Sequence, residues 1–137
     1  LDVLIPKLTA GASVFVSDHH YGRPVTINFL ADIVLALTQQ LLCGAQNWGA
    51  FHIHGSDKCS EAEFCDALVR LLKVEMGREM EMPLVAGVDD DRRLLSGNAM
   101  ISGARCTDNF GIQLKSWRNG LKTNVRKYLQ DNHLIAP

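Results

Sequence analysis

The stretch Gly49–Phe64, GAFHIHGSDKCSEAEF, decides how the rest of the chain reads. Its alternating run Phe51-His52-Ile53-His54 predicts a short buried strand, with Phe51 and Ile53 on one side and the two histidines on the other. Gly55 is free to adopt the positive φ that a sharp exit from a strand needs. Ser60 and Glu63 predict a capping box, in which hydroxyl and carboxylate each serve a backbone amide that a new helix leaves unpaired. Phe64, Leu68, Leu71 and Leu72 then form the apolar stripe of a helix from Ser60 to about Glu75, and Gly77 ends it.

On the N-terminal side, Leu1–Ala10 reads as the tail of a helix stopped by Gly11, with Pro6 tolerable only in a first turn. Ser13–Ser17 is β-rich and reads as a strand, and Asp18–Thr26 as a polar loop punctuated by Gly22 and Pro24. Asn28 is placed to cap a helix running to about Leu42, with Leu30, Ile33, Val34, Leu37 and Leu41 on one face and Gly44 closing it. On the C-terminal side, Pro83–Val88 reads as one more short strand and Asp89–Arg93 as a charged loop. Ser96–Asn109 has no convincing period. A last helix from about Ser116 to Tyr128 carries Trp117, Leu121, Val125 and Leu129 on one side. Short strands alternating with helices predict a mixed α/β fold.

A chain of 137 residues, 47% of them hydrophobic, fits a single domain over 1–137. Its net charge of −1 argues against an unaided role on nucleic acid or a membrane surface, and no apolar run is long enough to cross a bilayer. The first residue is Leu1 rather than Met, which points to a piece of a longer protein. Cys43, Cys59, Cys65 and Cys106 stand singly, a pattern of reduced thiols in a cytoplasmic protein rather than of a disulfide framework.

Several clusters carry candidate chemistry. His52 and His54 share a strand face and invite zinc, but further ligands lack a recognisable spacing, so packed histidines are the better reading. Asp89-Asp90-Asp91 lacks the glycine and distal glutamate of a calcium loop and reads as a solvated turn. Lys115, Arg118, Lys122 and Arg126 recur at helical spacing, a basic stripe opposite an apolar face and so chiefly its wet side. No G-x-S-x-G elbow, G-x-G-x-x-G loop or phosphate-binding G-x-x-x-x-G-K-S/T is present. The best site candidate is the loop holding Asp18, His20, Tyr21, Gly22, Arg23 and Pro24. Arg23 has the donor fork to clamp a diphosphate, and Tyr21 a ring to stack on a base or sugar. From spacing alone, an ordinary polar connection stands beside that reading.

These segments together resemble the dTDP-4-dehydrorhamnose reductase family, a branch of the extended short-chain dehydrogenases. Gly49–Phe64 is similar to its G-x-Y/F-H-x-x-G…C-S-x-x-E-F segment, Asp18–Val25 to its D-x-Q-x-G-x-P-T loop, and Phe29-Leu30-Ala31 to its D-L-A helix start. Asn109–Leu114 with Trp117 and Leu121 is similar to the closing F-G-I…W…L segment. His20 stands where that family has glutamine and Phe29 where it has aspartate, while its Arg-Pro before Ile101 is not recognisable. The resemblance implies the C-terminal, substrate-binding part of an NADP(H)-dependent nucleotide-sugar reductase, not catalytic alone. The nucleotide loop and the Tyr-x-x-x-Lys pair would lie in a preceding Rossmann half that binds the cofactor. Its partners would then be a nucleotide sugar and that half, with no nucleic acid and no membrane. An apolar patch left by the shared core would make a homodimer one remedy. The alternative is a non-catalytic binding or regulatory module on the same scaffold.

Overall fold

The structure, a computed structural model, describes residues 1–85 and 100–136. The expected Asp89–Arg93 loop and the last three residues of the Pro83–Val88 strand lie outside the described residues. The chain order is α1 (Leu4–Thr9), β1 (Phe15–Val16), β2 (Tyr21–Gly22), α2 (Ile27–Leu42), β3 (Cys59–Ser60), α3 (Glu61–Met76), β4 (Leu84–Val85), α4 (Ala104–Phe110) and α5 (Trp117–Asp131). This is the mixed α/β architecture the sequence predicts. Two small ladders tie it together: β1 runs parallel to β4, and β2 antiparallel to β3 with Tyr21 opposite Ser60 and Gly22 opposite Cys59.

The local helix signals translate directly. Ser60 accepts from the Glu63 amide while the Glu63 carboxylate accepts from the Ser60 amide at 2.8 Å, the reciprocal box expected at the start of α3. Gly77 closes α3 in the left-handed conformation, φ 62°. Ser116 caps α5, which buries Trp117, Leu121, Val125 and Leu129 as its spacing predicts. Pro6 falls in the first turn of α1, where a missing amide costs no helical bond. α3 and α5 pack together with α1 and β1 around Ile5, Val16, Leu68, Val69, Leu72 and Val125, all at most 1% exposed. A second, smaller cluster joins α2 and α4 through Phe29, Ile33, Cys106, Phe110 and Ile112.

Four expectations are corrected. Residues 51–54 are extended but belong to no ladder, and Phe51 and Ile53 instead pack on the second cluster, with Phe51 edge-on to Phe110 at 4.9 Å. Pairing needs a neighbour, and the chain finds one only after the turn at Gly55, where Cys59–Ser60 meet Tyr21–Gly22. The Asp18–Thr26 loop therefore contains a strand. Thr26, not Asn28, caps α2, its hydroxyl accepting from the Phe29 amide at 3.3 Å. Ala104–Phe110, in the stretch without a period, is helical; it buries only Cys106 and Phe110, too few positions to show one.

Candidate functional site

The first turn of α3 holds the Asp18–Pro24 loop in place. A new helix has amides without intrahelical partners, and two of these go to the loop: Glu61 donates to the His20 carbonyl at 3.2 Å and Ala62 to the Ser17 carbonyl at 3.1 Å. The Glu61 side chain adds a third tie, one carboxylate oxygen accepting from the Ser17 amide at 2.9 Å. At the far end Gly55 donates to the Arg23 carbonyl at 3.2 Å, and a Cβ at Gly55 would run into the Pro24 carbonyl oxygen. Gly55 is thus required by close approach of two backbones, since its φ is not among the positive ones.

This latch brings His20, Gly22 and Pro24 to one cleft of about 450 Å³, shared with Leu1, Leu4, Cys59, Ser60, Glu61 and Phe64. Its size lies within the range of small-molecule sites, roughly 300–1,000 Å³. The other loop residues point elsewhere. Asp18 is exposed, 3.3 Å from the equally exposed His19. Tyr21 lies under the Lys58 ammonium, 5.0 Å from its ring centre. Arg23 is half-buried, and its Nε is sealed from solvent without a hydrogen-bond partner.

Sequence reasoning passed over Glu61. It is 7% exposed, one oxygen is bound to Ser17, and the other, Oε1, is buried with no partner. In the sequence an acidic residue in a first helical turn reads as an ordinary complement to the helix dipole, so only the folded neighbourhood sets it apart. Cys59 and Cys65 also line the cleft, and burial pushes their thiols up to about 11 and about 12, away from nucleophilic thiolate character.

The remaining candidates have structural occupations. His54 is buried, its Nδ1 2.7 Å from the Gly55 carbonyl, and a Cβ at Gly103 would come within 2.7 Å of its Nε2. His52 is exposed, and among the described residues no three metal-ligating side chains gather. In the basic stripe, Arg118 pairs with Asp57 at 2.7 Å and lies over Trp117, Arg126 faces Glu75 at 3.9 Å, and Lys115 lies over the Phe29 ring. Among the described residues no helix is long and apolar enough to cross a membrane.

The fold is shared with the crystal structure of the Bordetella bronchiseptica enzyme WbmH in complex with NAD+, with a TM-score of 0.64 and 20% sequence identity. The match covers 94% of this chain and 39% of that one, so the chain spans well under half of that enzyme's length. No curated protein matches. A family model described as the RmlD substrate binding domain matches residues 1–130, and the chain belongs to that family.

Proposed function

We propose that this chain forms the substrate-binding portion of an NADP(H)-dependent nucleotide-sugar reductase, with the sugar nucleotide held at the Asp18–Pro24 loop. The observation that carries the reading is the convergence of His20, Gly22 and Pro24 with the start of α3 on one cleft. Membership of the RmlD substrate-binding family supports the nucleotide-sugar class. Arg23, half-buried on the same loop beside the cleft-lining Pro24, supports a diphosphate through its guanidinium donor fork.

The chemistry belongs to another part of the protein. The 137 residues contain no Tyr-x-x-x-Lys and no glycine-rich dinucleotide loop, and the glycine of the one strand-like turn, Gly55, is filled by Pro24. A nicotinamide cofactor would therefore sit on a separate nucleotide-binding half and reduce a keto group of the sugar presented from this side.

The test is calorimetric titration of the intact gene product with dTDP-glucose and with NADPH. Both are expected to bind, and Arg23→Ala is expected to weaken the sugar nucleotide by about 1–3 kcal/mol while sparing NADPH. No binding of dTDP-glucose would refute the substrate class. A gene product lacking Tyr-x-x-x-Lys would leave a binding module without turnover.

A further inference from the structure

We propose that residues 51–54 add as a strand to the open edge of a parallel β-sheet in the nucleotide-binding half, with one apolar flank of α2 covering that sheet's face. This inference rests on the reading above that such a half exists, and it assigns the surface by which the two halves join.

One edge of the segment is taken and the other is open. The Ala50 carbonyl accepts from the Arg105 guanidinium at 3.2 Å, and the His52 carbonyl lies so close to Gly103 that a Cβ there would come within 3.0 Å of it. Backbone groups of successive residues in an extended chain point to opposite edges, so those of Ala50 and His52 face the start of α4 and those of Phe51 and Ile53 face away. Among the described residues, no backbone group of 51–54 has a backbone hydrogen-bond partner. Strand edges that stay free are commonly blunted by proline or lysine, and Phe51-His52-Ile53-His54 carries neither.

Helix α2 says what kind of neighbour fits. Its Phe29 and Ile33 share the second cluster with Phe51 and Ile53, so the helix lies on the extended segment that follows it in the chain. That is the later part of a β-α-β unit, whose first strand runs parallel beside its second. A helix is about 10 Å wide and neighbouring strands are about 4.8 Å apart, so a helix seated on one strand overhangs the place of the next. One flank of α2 is apolar: Ile27, Leu30, Val34 and Leu41 follow one another at i, i+3, i+7 and i+14 beside the buried face, with Ile27 72% and Val34 53% exposed. The other flank holds the exposed Asp32 and Gln39. The solved enzyme with this fold carries more than half its length outside the matched region, enough chain for such a sheet. A second copy about a twofold axis would offer only this same short segment, not a sheet wide enough to meet the flank.

The experiment follows backbone amide exchange in the intact gene product by NMR. The amides of Phe51 and Ile53 are expected to exchange about 100-fold or more slowly than in an unstructured chain, at every protein concentration, with NOEs to residues that precede Leu1. Val34→Glu sets a charge on the covered flank and is expected to speed their exchange about tenfold or more. Leu35→Glu, at a residue 59% exposed and opposite Ile33 on the helix, is expected to leave it unchanged. If Val34→Glu does not fold, exchange and NOEs in the wild type decide. Phe51 and Ile53 amides that exchange as open chain, NOEs to a second copy or to residues 86–99, or equal effects of the two substitutions would overturn the inference. NADPH binding by the same protein would then leave the reductase reading standing. An intact gene product that neither binds NADPH nor has a segment before Leu1 would remove that reading, and the inference with it.

Discussion

Helices α2 and α3 have the same length, sixteen residues, and opposite fates. α3 has its capping box, a left-handed glycine stop and Leu68, Val69 and Leu72 fully buried against α5. α2 is the more apolar of the two, yet it buries only Phe29 and Ile33. Ile27, Val34, Leu35 and Leu42 remain 53–83% exposed on it. The apolar residues of α3 form one stripe that this chain covers, whereas those of α2 run around the helix and outnumber the covering surface. Exposed apolar residues grouped in this way are common at interaction surfaces. They coincide with a chain that spans 39% of the solved enzyme it resembles.

The contrast can be broken by mutation. Leu68→Ala removes a side chain with no exposure and should cost about 2–5 kcal/mol in denaturant unfolding. A loss comparable to that of a surface change would mean the α3–α5 contact is not the main core. Ser60→Ala, which removes the hydroxyl that accepts from the Glu63 amide at 3.1 Å, should cost about 1 kcal/mol. The same change at Thr26, which makes a single long bond at 3.3 Å, should cost less, and the reverse order would make α2 the better-anchored helix. Leu42→Lys should change stability by no more than about 0.5 kcal/mol, since Leu42 is 83% exposed. A larger loss would show that α2 is covered after all, for instance by a second copy.

The smallest effect is acidic. Asp57 joins the Gly55 turn to the start of α5; burial tends to raise its carboxyl, but hydrogen bonds from Ser116, Ser56 and Arg118 outweigh that and hold it below the ordinary 3.8. A lowered folded value means fewer protons bound in the native state, so this support is present above the ordinary value and lost as the pH falls through the folded one. Asp57→Asn should therefore flatten the acid limb of the stability profile slightly, the pair being partly exposed. An unchanged limb would remove Asp57 from the account.

What the sequence disclosed was local. Ser60 with Glu63, Gly77, and the Trp117–Leu121–Val125–Leu129 spacing each encode a helix through atoms within a few residues, and each is found as read. The misreadings depend on distant partners. Nothing in Phe51–His54 says that no strand will lie beside it, and nothing in Cys59–Ser60 says that Tyr21–Gly22 will. The loop was singled out by composition, yet only His20, Gly22 and Pro24 of its six named residues reach the cleft. Glu61, which both fastens the loop and lines that cleft, carried no signal beyond its charge.

The fastening of the loop by the first turn of α3 also sets how the molecule opens. Because the amides of Glu61 and Ala62 end on the carbonyls of His20 and Ser17, the cleft rim cannot lift without stripping both amides at the head of that helix of their partners. Loop and helix start should behave as one cooperative opening unit, exchanging these amide protons with solvent at a common rate. A ligand that bridges the rim would slow that exchange in a region set apart from the α3–α5 interior, so occupancy of the cleft would be written in the deuterium uptake of a helix end rather than of a flexible lid.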